Sequence, residues 1–114
     1  MARIKRYCGN YLLEINGNYI KEYCGRILYE ISENYVKEYC GKILYEISGN
    51  YIKEYCGRYL LEVNGNMVKE YCGKYLYEIK DQRYIKEYCG NYIYEIDGFL
   101  SHRELMALLA IMFA

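Results

Sequence analysis

A 16-residue unit, Tyr-Cys-Gly-x-x-Leu-Tyr-Glu-Ile-x-Gly-Asn-Tyr-Ile-Lys-Glu, recurs along nearly the whole chain. Copies start at Tyr7, Tyr23, Tyr39, Tyr55, Tyr71 and Tyr88, and a half copy, Arg3-Ile4-Lys5-Arg6, precedes the first. A unit this short is one supersecondary element that cannot bury its apolar face alone, so neighbouring copies must complete each other's core. In the third copy, residues 43–47 and 51–55 are β-branched and aromatic runs separated by Gly49-Asn50, and Cys56-Gly57 leads into the next copy. Strand, turn, strand, turn is the pattern, with glycine placed where a tight turn needs positive φ.

The register follows from the turn. A two-residue Gly49-Asn50 tip sets Ile47 opposite Ile52 and Glu46 opposite Lys53, and the same spacing pairs Glu30 with Lys37 and Glu62 with Lys69. Opposite charges across an antiparallel ladder are stabilising. With both turns two residues long, Ile43, Tyr45, Ile47 and Ile52 share the core face, while Leu44, Glu46, Tyr51, Lys53 and Tyr55 share the other. The rival arrangement is a β-solenoid of 16-residue coils with a C-terminal capping helix. It stacks Glu14, Glu30, Glu46, Glu62, Glu78 and Glu95 in one column about 4.8 Å apart, a like-charge ladder that disfavours it. The fifth copy is one residue longer, with Lys80-Asp81-Gln82-Arg83 at the tip, and a hairpin tip absorbs an insertion readily.

After Gly98 the strand rhythm stops. Ser101-His102-Arg103-Glu104 is a capping box, and residues 105–114 are strong helix formers, apolar on nearly every side. Such a helix is buried or sits in an interface. Ser101 and Glu104 start it, and Leu105, Leu108, Leu109 and Met112 are its structural packing residues. Each hairpin advances the register by two residues, so twelve strands accumulate a stagger of about twelve. Closed, they form a barrel of roughly 10 Å radius, the distance at which a sheet packs on a helix axis. The expected fold is mainly β: an antiparallel meander of about twelve short strands, curled or closed around the C-terminal hydrophobic helix. One domain spans residues 1–114, with hairpin repeats over 3–98 and the helix over 101–114.

Fifteen basic residues balance fifteen acidic ones, which argues against nucleic acid as a partner. The start of the chain lacks an apolar h-region, and the apolar run at the end is about half a membrane span, so a cytoplasmic protein with no membrane span is expected. Cys8, Cys24, Cys40, Cys56, Cys72 and Cys89 hold one place in the repeat, so their spacing comes from duplication and free thiols are expected. With no Cys-x-x-Cys and one histidine, neither a metal site nor any other cofactor is expected.

No catalytic constellation stands out. His102 has no oriented partner or nucleophile at a meaningful spacing, and reads as a surface residue at the helix start. The repeated Glu and Lys residues share one environment, unlike a catalytic carboxylate pair. Tyrosine supplies 18 of the 20 aromatic residues. Tyr19, Tyr35, Tyr51 and Tyr84, on the outer face beside the turn tyrosines, are the candidate binding residues. The expected function is a non-enzymatic repeat scaffold or a protein-interaction or self-association module, with a protein partner or a homodimer. The alternative is a small-ligand or carbohydrate-binding module using the same tyrosines.

Tyr94-Glu95-Ile96-Asp97-Gly98 resembles bacterial tandem β-hairpin repeats of the form Tyr-Glu-Ile-Asp-Gly-x-x-Ile. That resemblance implies a hairpin array and brings no activity with it. In count and order of elements the chain also resembles the tubby-like and LURP-one-related barrel, twelve strands around a hydrophobic C-terminal helix. The tandem hairpins are similar to MORN and choline-binding repeats, whose own Gly and Trp patterns are absent here, so no binding residue carries over.

Overall fold

The computed structural model describes residues 2–114. Twelve strands follow one another: β1 (Ala2–Arg6), β2 (Tyr11–Asn16), β3 (Tyr19–Glu22), β4 (Ile27–Ser32), β5 (Tyr35–Glu38), β6 (Ile43–Ser48), β7 (Tyr51–Glu54), β8 (Tyr59–Asn64), β9 (Met67–Glu70), β10 (Tyr75–Lys80), β11 (Tyr84–Glu87) and β12 (Tyr92–Gly98). One helix, α1 (His102–Phe113), ends the chain. Every strand pairs antiparallel with its sequence neighbours, and β1 also pairs with β12, closing the barrel. Ile47 faces Ile52 and Glu46 faces Lys53, so the hairpin register holds and the parallel solenoid is not adopted.

The two kinds of tip solve the turn differently. At the two-residue tips the first residue is left-handed: Gly17, Gly49 and Gly65 lie at φ +65°, +62° and +64°, and Glu33 takes the same conformation at +56°. The longer fifth copy makes a three-residue tip, with Asp81 and Gln82 left-handed and the Arg83 N–H donating to Lys80 O at 3.0 Å. At the Cys-Gly tips the left-handed residue is the cysteine, with φ between +54° and +56° in all six copies. The glycine there meets a different need. Its N–H donates to the carbonyl three residues back, and a Cβ on Gly57 would lie 2.8 Å from Glu54 Cβ. The expectation of glycine at positive φ thus holds at one tip and is replaced by close approach at the other.

These Cys-Gly tips also carry a β-bulge. Ile52 faces Leu61 while Lys53 faces Tyr59, leaving Leu60 as the extra residue. A bulge reverses the alternation beyond it. Ile43, expected on the core face, therefore sits opposite Lys37 on the outer wall. Leu60 and Leu76, expected outside with Leu44, pack against the core instead.

Above the bulges the register steps by two residues per hairpin, as Ile15 to Ile20 to Tyr29 shows. Six cross-strand pairs, Ile15 with Ile20, Ile31 with Val36, Ile47 with Ile52, Val63 with Val68, Ile79 with Ile85 and Ile96 with Ile4, make one inward ring, with every member buried. Inside it, Met106, Ala107, Leu108, Leu109 and Ala110 of α1 are fully buried. Twelve helical residues span about 18 Å, matching the 17 Å short dimension of a molecule 37 by 36 Å across. The helix is the core of the barrel.

Ser101 caps α1. Its hydroxyl accepts from Glu104 N–H at 3.2 Å, and the Glu104 carboxylate accepts from Ser101 N–H at 2.9 Å. Arg103 fixes this end to the tips of β2–β5: Nε donates to Glu33 O at 2.7 Å, Nη1 to Asn18 Oδ1 at 3.0 Å and Nη2 to Ile31 O at 3.2 Å. At the other end Phe113 stacks on Tyr77 at 4.0 Å, and Tyr45 Oη donates to Ala114 O at 3.3 Å.

Candidate functional site: the outer tyrosine belt

The outer wall is built from the residues that the inward ring leaves behind. Each hairpin places a glutamate opposite a lysine, and the pairs are close: Lys37 to Glu30 at 3.4 Å, Lys53 to Glu46 and Lys69 to Glu62 at 3.3 Å, Lys21 to Glu14 at 3.5 Å. Lys86 with Glu78, and Lys5 and Arg83 with Glu95, carry the ladder around the seam. The wall is therefore electrically self-neutralised. Half-exposed pairs of this kind contribute little stability individually. Charged residues outside and apolar residues inside are the reverse of a lipid-facing barrel. No helix among the described residues is long and apolar enough to cross a membrane.

Between the charges runs a belt of tyrosines. Tyr19, Tyr35, Tyr51 and Tyr84 occupy equivalent outer positions, with Met67 in the fourth hairpin. They do not touch one another. Each instead meets, edge to face, the turn tyrosine that opens the copy two further round the barrel: Tyr19 with Tyr39, Tyr35 with Tyr55, Tyr51 with Tyr71 and Tyr84 with Tyr7, at 5.6–6.0 Å. A further set was invisible to alternation. Tyr11, Tyr59, Tyr75 and Tyr92, turned outward by the bulge, stack on Tyr23, Tyr71, Tyr88 and Tyr7 at 4.9–5.2 Å. The available signal was the exchange of Tyr for Ile27 and Ile43 at this place, since an aromatic with a hydroxyl suits a half-wet site.

Lys5, Lys53 and Lys69 lie over the faces of Tyr11, Tyr59 and Tyr75 at 5.4–5.9 Å, joining belt and ladder through cation–π contacts. The hydroxyls of Tyr39, Tyr55, Tyr71 and Tyr88 are held above their ordinary range, first by the charge a neighbouring cysteine carries when ionised and then by hydrogen bonding to it. Tyr11 is raised because its hydroxyl donates to Asp97 Oδ2 at 2.9 Å, a bond lost on ionisation.

The remaining candidates are dispersed. All six cysteines are free and exposed, one on each tip of the same rim. His102 lies at the opposite rim, with Nε2 3.4 Å from Gly49 O, and lines a recess there with Ser48 and Arg103. Among the described residues no group of three or more His, Cys, Asp or Glu side chains is placed to hold a metal ion. Ser101, Glu104, Leu105, Leu108, Leu109 and Met112 serve the helix and its packing. No protein-family model, curated protein or solved structure matches this chain.

Proposed function

We propose that the protein is a non-enzymatic scaffold that associates with copies of itself and with other proteins through the outer tyrosine belt. The observation that carries this reading is the paired, exposed arrangement of the rings: Tyr59 and Tyr71 stack at 4.9 Å, Tyr51 packs edge-on against both, and Tyr59 and Tyr71 remain 40% and 44% exposed. Rings held by each other lose little further freedom when a partner covers them, and tyrosine is enriched where interfaces are buried. The charge ladder supports the same reading, because a neutral wall does not repel a second copy. The interior is taken up by α1, so the outer surface is where a partner has to act. The resemblance to the bacterial Tyr-Glu-Ile-Asp-Gly hairpin repeats fits a scaffold equally well.

Sedimentation velocity over a range of concentrations tests this. The expected outcome is reversible association that Tyr51→Ser, Tyr59→Ser and Tyr71→Ser together weaken by about tenfold or more, the effect of losing one aromatic anchor cluster. A wild-type chain that stays monomeric at every concentration would overturn the self-association reading. The coplanar Tyr pairs favour one second reading, stacking on sugar rings. Oligosaccharide binding lost in the same triple variant, without self-association, would establish that instead.

A further inference from the structure

Every Tyr-Cys-Gly tip repeats one backbone bond. The N–H of its tyrosine donates to a carbonyl on the strand beside it, as Tyr71 N–H does to Leu60 O at 3.1 Å and Tyr55 N–H to Leu44 O at 3.2 Å. The residue just before that carbonyl's own is Tyr11, Ile27, Ile43, Tyr59, Tyr75 or Tyr92, according to the copy. Where it is tyrosine, two rings lie face on face. Tyr7 with Tyr92, Tyr11 with Tyr23, Tyr59 with Tyr71 and Tyr75 with Tyr88 stand 4.9–5.2 Å apart, with 23–28° between their planes. At the two copies with isoleucine, Tyr39 and Tyr55 meet Tyr19 and Tyr35 edge to face instead, at 76° and 79°.

This difference in angle has a chemical consequence. A phenol that loses one electron and its hydroxyl proton becomes a phenoxyl radical. Its unpaired electron occupies a π orbital, perpendicular to the ring, with density on the carbons ortho to the oxygen. Two such radicals form a carbon–carbon bond when these lobes meet, which stacked faces allow and an edge against a face does not. The stacked rings are also within reach of an oxidant: seven of the eight are 36–47% exposed, and Tyr11 is half-buried. At Tyr11 the Asp97 carboxylate, 2.9 Å from the hydroxyl, is placed to take the proton.

We propose that the four stacked pairs are sites of oxidative cross-linking, each forming one dityrosine within a single chain. A one-electron oxidant driven by a peroxide removes one electron from each ring, and the two hydroxyl protons leave to solvent. The ortho carbons then join, and each ortho hydrogen moves to its own oxygen as the rings regain aromaticity. Per link, two electrons and two protons reach the peroxide and the two hydroxyls are retained. The Tyr7–Tyr92 link has a particular effect: it ties the β1–β2 tip to β12 and makes the barrel seam covalent. The proposal does not rest on self-association, because these bonds form in a dilute, monomeric chain.

The test is photo-oxidation of the dilute full chain with tris(bipyridine)ruthenium(II) and persulfate, followed by dityrosine fluorescence, a denaturing gel and peptide mass spectrometry. The thiols are first alkylated with iodoacetamide, since a cysteine follows each turn tyrosine and would return an electron to its radical; all six are exposed and accessible to the reagent. The expected result is a monomeric band carrying links Tyr7–Tyr92, Tyr11–Tyr23, Tyr59–Tyr71 and Tyr75–Tyr88, with Tyr39 and Tyr55 unlinked. Tyr92→Phe is expected to abolish the first link and keep the other three. Ile43→Tyr, which copies the residue that four of the six repeats carry there, is expected to bring Tyr55 into a fifth link. Links at Tyr39 or Tyr55 as frequent as at the stacked pairs, links only between chains, no fifth link in Ile43→Tyr, or rings consumed without dityrosine would each overturn the proposal.

Discussion

Cysteine occupies a left-handed turn position six times over, while the neighbouring glycine does not. A Cβ in that region costs about 1–2 kcal/mol, so each Tyr-Cys-Gly tip carries strain that the following residue makes tolerable. A Cβ on Gly57 would lie 2.8 Å from Glu54 Cβ, so glycine is what lets the chain pass this close. Gly57→Ala is accordingly expected to destabilise by roughly 1–3 kcal/mol through overpacking. Cys56→Gly, at the adjoining residue, is expected to hold or raise stability, by up to about 1 kcal/mol. Denaturant midpoints of the two variants check this, and the reverse order would show that the strain has been assigned to the wrong residue. The left-handed assignment at the Gly-Asn tips was legible in the residues, because only glycine or a short polar side chain suits it cheaply. At the Cys-Gly tips it was hidden, since the residue order alone makes glycine look like the turn former.

At the level of elements, two-residue periodicity carried most of the information. Ile47 opposite Ile52 and Glu46 opposite Lys53 were readable because a short tip fixes the register and one face must be apolar. The bulge was not readable. It depends on a four-residue tip whose geometry is set by backbone bonds such as Glu54 N–H to Arg58 O at 2.9 Å, and sequence alternation runs straight through it. That single feature moved Ile43 and its tyrosine equivalents outward, so Tyr11, Tyr59, Tyr75 and Tyr92 lay beyond reach of the sequence. The helix itself was plain, from a capping box followed by an apolar run. Leu108→Ala is expected to cost roughly 2–5 kcal/mol as a fully buried truncation, against about 1 kcal/mol for loss of the cap in Ser101→Ala. Chemical denaturation measures both. A Leu108→Ala cost no larger than that of the cap would mean that the helix does not fill the barrel.

For the whole molecule, closure is the deciding property. An open meander would leave two unpaired edges, which recruit other strands. Here β1 joins β12 through five residue pairs, Ala2 with Gly98 to Arg6 with Tyr94, and no edge remains. Removing residues 2–6 is expected to expose the edges of β2 and β12 and to produce irreversible edge-to-edge aggregation, seen by light scattering. A clear, stable truncation would show that the seam is dispensable. The seam also orders events in time. Every other ladder joins neighbours a few residues apart, and each forms as soon as its hairpin exists. The β1–β12 ladder joins residues 88 to 96 positions apart, and the helix that fills the interior follows even later in the chain. During synthesis the growing sheet therefore keeps a bare apolar face and a waiting edge until β12 and α1 have been added. The first strand of the barrel to be made is the last to be paired on both sides.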